Sequence, residues 1–100
     1  MIPSPQLSRS QLLGANFSFQ HLPMSEVAAI LARHGFTEIE LWGIAPHLDL
    51  FHASDAKVAS VRKLLADHGL SVRIFTPEQV VYPVNIASGD ADWRRASVER

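Results

Sequence analysis

The sequence predicts an α/β fold in which parallel strands alternate with helices. Short apolar runs alternate with helical patterns along the chain, and the phrase His34-Gly35-Phe36 returns as His68-Gly69-Leu70, 34 residues later. A strand–helix unit that repeats at about this spacing is typical of right-handed βαβ crossovers and a parallel sheet. The chain has 100 residues, 47% of them apolar, which is enough for a core and excludes wholesale disorder.

The first unit follows an irregular leader over residues 1–10, which has two prolines and lacks the apolar region of a signal peptide. The apolar run at 12–17 predicts the first strand. Ser25 is the predicted N-cap of the first helix. The apolar face of that helix, at i, i+3, i+4 and i+7, consists of Val27, Ile30, Leu31 and His34.

The second unit repeats this order. Residues 38–42 predict the second strand, and Ser54 is the predicted N-cap of the second helix. Residues 71–76 predict the third strand. The predicted inner face of the second helix consists of Val58, Val61, Leu64, Leu65 and His68.

Glycines end both predicted helices. Gly35 and Gly69 supply the left-handed residue just past each helix, and Phe36 and Leu70 are placed to fold back onto the last turn.

A third unit starts without reaching a stop signal. Residues 77–85 are predicted to be irregular, and Asp90 or Asp92 then begins a helix that runs to Arg100. Eight such units, about 250 residues, close a (β/α)8 barrel. Three such units are about a third of that length, and three parallel strands leave one face of the sheet uncovered, so we expect the sequence to be incomplete as given.

Charge and composition exclude several function classes. The net charge of −1 leaves no basic excess for nucleic acid. No apolar run approaches the length of a membrane span. The absence of cysteine excludes disulfides, a thiolate metal site and a Cys nucleophile, and it suits a cytoplasmic protein, which is our expectation.

Six ordered motifs stand at regular places in the chain: Glu38-Ile39-Glu40-Leu41-Trp42-Gly43, Pro46-His47, Thr76-Pro77-Glu78, Tyr82-Pro83-x-Asn85, Gly89-Asp90 and Arg94-Arg95. Together they resemble the opening third of the sugar phosphate isomerases/epimerases of the xylose-isomerase-like TIM-barrel superfamily. The resemblance covers the chain from about Asn16 onward, and the segment from Leu22 to Arg95 needs no gaps. It implies that residues 1–100 are the first three β/α units of a single (β/α)8 TIM-barrel domain.

The resemblance implies a metal-dependent reaction on a ketose sugar or sugar derivative. Such enzymes bind one divalent metal, often manganese, in a Glu/Asp/His/Glu cluster at the C-terminal mouth of the barrel. Two of those carboxylates move a proton at the carbon next to the carbonyl, which the metal polarises. In the family these ligands come from strands four to eight, and none matches a residue of this chain. We therefore expect the 100 residues to supply only part of the substrate pocket and to be inactive alone.

Five residues lie where that pocket is expected, past the carboxyl ends of the second and third strands. Each also has a purely structural interpretation. Trp42 is a stacking surface for a sugar or a core aromatic, and His47 is a hydroxyl contact or a surface-loop histidine. Glu78 either accepts hydrogen bonds from sugar hydroxyls or is a loop acid that is solvated or caps a helix. Tyr82 and Asn85 shape the pocket or pin the loop that carries them.

Glu40 is predicted to face the barrel interior together with Trp42, while Ile39 and Leu41 face the helices. A buried carboxylate needs partners, such as an Arg or Lys from another strand. We therefore interpret Glu40 as a structural ion rather than a catalytic one.

Two other functions remain open. The chain could be a small non-catalytic α/β module, for which a homo-oligomer is an open possibility. It could also be related to the DNA-repair endonucleases that share this barrel, in which a Pro-x-x-x-Tyr-x-x-Asn loop carries a metal-binding histidine after its proline. Here Glu78 stands in that place, with one extra residue before Tyr82, and basic charge is lacking.

Overall fold

The computed structural model describes residues 2–78 and 82–100 and confirms the predicted alternation of strands and helices. Met1 and residues 79–81, which belong to the leader and to the predicted irregular segment, lie outside the described residues. The strands are β1 (Gly14–Ala15), β2 (Glu38–Gly43) and β3 (Ser71–Pro77), and the α-helices are α1 (Met24–Arg33), α2 (Asp55–Asp67) and α3 (Ala91–Val98). Two 3-10 turns lie at Arg9–Gln11 and Phe17–Phe19.

The strands form one open parallel sheet in the order β1-β2-β3. Ile39 of β2 pairs with Gly14 on one side and with Val72 on the other. A bulge between Ile39 and Glu40 shifts the register against β3. Side chains of β2 alternate between buried and half-buried, as expected for a strand covered by helices on one face.

The core lies between that covered face and the two helices α1 and α2. Ile39 and Val27 are fully buried at its centre. The face of α1 is rotated from the prediction, because Met24 and Ala28 are buried in it whereas His34 is exposed. On α2 the buried residues are Val61 and Leu65, and Val58 is 48% exposed.

Both helices end in the predicted glycine motif. Gly35 has φ +81° and Gly69 has φ +70°. Phe36 N–H donates to the Leu31 carbonyl at 3.1 Å, and Leu70 N–H donates to the Leu65 carbonyl at 2.9 Å. These are the bonds of the Schellman motif, so the repeat seen in the sequence is a repeat of helix ends.

Two of the predicted helix starts are confirmed. Ser54 Oγ accepts from Lys57 N–H at 3.1 Å, and Asp90 Oδ1 accepts from Asp92 N–H at 2.9 Å.

The prediction for α1 is wrong in its residue. The helix begins at Met24, and Ser25 lies inside its first turn. The Pro23 carbonyl already accepts from Glu26 and Val27, so the helical bonds start before Ser25 could cap them.

The described part of the chain is flat and extended. Its radius of gyration is 16.8 Å and its extents are 52 × 44 × 21 Å, whereas a compact domain of this length has a radius of about 13 Å. Val72, Ile74 and Phe75 of β3 are between 43% and 47% exposed. This open sheet is consistent with a partial β/α repeat. Among the described helices, none combines the length and the apolar character that crossing a membrane requires.

Candidate functional site

A pocket of about 360 Å³ lies where β3 ends, between the β2–α2 loop, the segment after β3 and the end of α3. It brings together three of the five predicted site residues. Its lining includes Phe51, Glu78, Tyr82, Asn85 and Arg100. Trp42 and His47 are outside this lining.

Glu78 directly follows β3 and is only 3% exposed. The alternative of a solvated loop acid therefore does not fit this residue. Glu78 is one of the residues that line the pocket.

Tyr82 joins the two loops that border the pocket. Its hydroxyl accepts from Leu50 N–H at 3.3 Å, and the Asp49 carboxylate is close enough to act on its pKa. Its ring packs edge-on against Phe51, with 4.4 Å between centroids. Burial raises the pKa of Tyr82, and the negative charge of Asp49 raises this pKa further.

Asp49 organises the turn on the other side of this contact. Its Oδ2 lies 2.7 Å from His52 Nδ1, and its Oδ1 accepts from Phe51 N–H at 3.0 Å. The hydrogen bond from His52 is the main cause that lowers the pKa of Asp49. The sequence offered only an Asp three residues before a His as a signal for this residue, and it was not among the predicted site residues.

Asn85 and Arg100 close the other side of the pocket. Asn85 Oδ1 accepts from Ala87 N–H at 3.0 Å, and Asn85 N–H donates to Ser97 Oγ of α3 at 2.9 Å. The Arg100 guanidinium lies over the Phe51 ring, 4.9 Å from its centroid. Asn85 and Tyr82 therefore make hydrogen bonds that hold their loop in place, as their structural interpretation expects. Both residues also line the pocket.

Trp42 lies on the half-buried face of β2, which it shares with Glu40. Its ring packs against Phe17 at 4.6 Å and 43°. Trp42 is paired in register with Thr76 of β3, two residues before Glu78. The Trp42–Phe17 pair is therefore a second feature near the strand ends, separate from the pocket lining.

His47 is buried in the β2–α2 loop, with 2% of its surface exposed. Its Nδ1 lies 3.0 Å from Asn16 Nδ2, and its Nε2 lies 2.8 Å from the Leu22 carbonyl oxygen. His47 is therefore not a surface-loop histidine. Both of its ring nitrogens already have partners within the chain.

Within residues 2–78 and 82–100, no three His, Asp or Glu side chains lie close enough together to hold a metal ion. The described residues therefore do not fit the metal centre that the resemblance implies. The residues that line the pocket at the end of β3 include polar and aromatic side chains.

Comparison with known proteins gives one kind of match. No protein-family model matches the chain, and no solved structure does. Fructoselysine 3-epimerase of Escherichia coli O157:H7 and fructoselysine 3-epimerase of Shigella flexneri are each 30% identical to it over 83 residues. The match covers 80% of this chain and 29% of each relative. The chain is therefore distantly similar to a sugar epimerase, which confirms the resemblance found in its motifs, and it spans less than a third of the length of the curated relatives it matches.

Proposed function

We propose that this chain forms the first β/α units of a metal-dependent isomerase or epimerase that acts on a ketose sugar or sugar derivative. In this proposal the chain supplies one wall of the substrate pocket. The distant similarity to fructoselysine 3-epimerase supports the reaction class. The three parallel strands with alternating helices are the architecture that such a barrel requires.

The pocket where β3 ends is the observation that carries the proposal. Enzymes built on parallel strands bind their ligands at the carboxyl ends of those strands. Glu78, Tyr82 and Asn85 meet there around one cavity. The proposed contacts are a Glu78 carboxylate that accepts hydrogen bonds from sugar hydroxyls and an Arg100 guanidinium that donates them.

The divalent metal of the proposed reaction, with Mn²⁺ as the first candidate, has no ligand set among the described residues. The resemblance assigns its ligands to later strands of the family fold. The role proposed for this chain is therefore substrate binding, and proton transfer at the sugar is assigned to groups outside it.

The substitution Glu78→Gln tests the proposal in the full protein as its native cells make it. Loss of a charged hydrogen-bond acceptor weakens binding by roughly 1.5 kcal/mol, which is about tenfold in Kd or KM. We expect that loss for fructoselysine with no change in bound manganese. Glu99→Gln, a change at an exposed acid just past α3, is the matched control and should leave both unchanged. Unchanged affinity in Glu78→Gln, or loss of metal from it, would contradict the assigned role.

A further inference from the structure

The fully buried Asn16 side chain makes the hydrogen bonds that the main chain of a neighbouring strand would make. β1 ends at Ala15, and Asn16 already has a helical backbone conformation with φ −88° and ψ −10°. Its Oδ1 accepts from Trp42 N–H at 2.7 Å, and its Nδ2 donates to the Trp42 carbonyl at 3.1 Å. The amide therefore binds both main-chain groups of Trp42, which β1 would otherwise have paired.

His47 completes this arrangement. The Leu22 carbonyl can only accept, so His47 Nε2 carries the proton and donates to it. His47 Nδ1 is then the acceptor for the second Nδ2 hydrogen of Asn16. Among the described residues no buried side-chain polar atom is left without a partner, and this network contributes to that result.

The network fixes both members of an aromatic pair. Phe17 is the next residue after Asn16, and Trp42 is the residue whose main chain Asn16 holds. Their rings pack at 4.6 Å, with Phe17 43% exposed and Trp42 half-buried. Since the interior of a protein transmits small displacements, a shift of the Asn16 amide moves both rings.

We propose that Asn16 and His47 are positioning residues that hold Phe17 and Trp42 as an aromatic wall for the apolar face of a sugar ring. The use of this wall by a sugar rests on the proposed function. The placement of the wall by Asn16 and His47 stands on the hydrogen bonds alone. Neither Asn16 nor His47 touches the sugar in this proposal.

Tryptophan spectroscopy tests the placement. Trp93 is the only other tryptophan of these 100 residues and is exposed on α3, so Trp93→Phe, made in the 100-residue chain, leaves Trp42 as the single reporter. In that background we expect Asn16→Leu and His47→Phe to shift Trp42 emission to the red and to reduce the near-UV circular dichroism of the ring pair. His21→Phe, at an exposed histidine of the neighbouring turn, is the control and should change neither signal. Unchanged Trp42 signals in both network variants would overturn the proposal.

Titration of fructoselysine separates the two parts of the account in the full protein. If both hold, Asn16→Leu raises KM about tenfold, the equivalent of roughly 1.4 kcal/mol, and leaves kcat within twofold. Asn16→Gln, which keeps the amide on a longer side chain, should recover part of the loss. If the Trp42 signals change while Trp42→Leu leaves KM unchanged, the positioning role stands and the sugar-binding role of the wall is wrong.

A measurement on the unsubstituted protein avoids variants that fail to fold. The ¹⁵N shifts of the His47 ring report which nitrogen carries the proton. We expect a neutral ring protonated on Nε2, with an unprotonated Nδ1 that accepts from the Asn16 amide. A ring protonated on Nδ1 cannot accept that bond and would overturn the network.

Discussion

Thr76 donates its hydroxyl hydrogen to Glu40 Oε1 at 2.6 Å, which joins β3 to β2 on the face of the sheet that the helices do not cover. An Arg or Lys was the expected partner of Glu40. In the part of the chain that the structure describes, the Thr76 hydroxyl takes that place. The Arg73 guanidinium of β3 lies instead beside Glu38, two residues before Glu40 on β2, with 3.8 Å between Arg73 Nη1 and Glu38 Oε1.

Thr76→Val removes this bond while keeping the shape of the side chain. We expect the free energy of unfolding to fall by about 1–2 kcal/mol, because the half-buried Glu40 carboxylate loses a donor. Denaturant unfolding measures the change. Thr37→Val, at an exposed threonine just before β2, is the control with an expected change near zero. Equal effects at the two positions would contradict the contribution of the Thr76–Glu40 bond.

Gly69→Ala tests the left-handed helix end separately from crowding. A Cβ at Gly69 meets nothing within 4 Å, so the cost comes from φ +70° alone. That cost is about 1–2 kcal/mol for an L side chain. Gly89→Ala, where space is also open and φ is not positive, should be close to neutral in the same unfolding experiment.

Ser54→Ala removes the side-chain cap of α2. The expected loss is about 1 kcal/mol, since the Lys57 N–H loses its acceptor. Ser60 lies in the same helix and donates only to the Lys57 carbonyl. Ser60→Ala should therefore cost less than half as much, and a larger effect at Ser60 than at Ser54 would refute the capping assignment.

Tyr82 is the only tyrosine among these 100 residues, so the absorbance of tyrosinate from the 100-residue chain reports on this residue alone. Burial and Asp49 raise its pKa, and the folded protein therefore holds the phenol proton more tightly than the unfolded chain does. The protonated phenol therefore contributes to the free energy of unfolding. This contribution is complete below the ordinary tyrosine pKa of about 10 and is lost as pH rises through the higher pKa of folded Tyr82.

The titration midpoint of Tyr82 should accordingly lie above that of free tyrosine. Asp49→Asn should lower the midpoint, because it removes the neighbouring negative charge. Asp67→Asn, at an exposed acid of α2 that pairs with Lys63, should leave it unchanged. A midpoint equal to that of free tyrosine in the unsubstituted protein would contradict the buried contact.

The fold could be predicted from the sequence because its signals are local and occur twice. The His-Gly-apolar phrase at 34–36 and 68–70 predicts helix ends through local backbone chemistry, and both ends are found. The start of α1 could not be predicted in the same way. Pro23 and Ser25 both suit the beginning of a helix, and the choice between them depends on how the chain enters from the preceding turn.

The candidate site was predictable in position but not in its connections. Parallel topology alone places Glu78 and Trp42 near the ends of neighbouring strands. The link from Asp49 to Tyr82 crosses two loops whose conformation no periodicity encodes. Asn16 lay in an apolar run predicted as strand, and a polar residue in such a run was the one available sign of its role.

Solvent exchange tests the proposed function most directly. The protein purified from its native cells would be incubated with Mn²⁺ and fructoselysine in deuterated water, and the sugar would then be examined by NMR. The account predicts deuterium at the carbon next to the carbonyl, with slower incorporation at limiting sugar for Glu78→Gln. Incorporation no faster than in a sample without protein would contradict it.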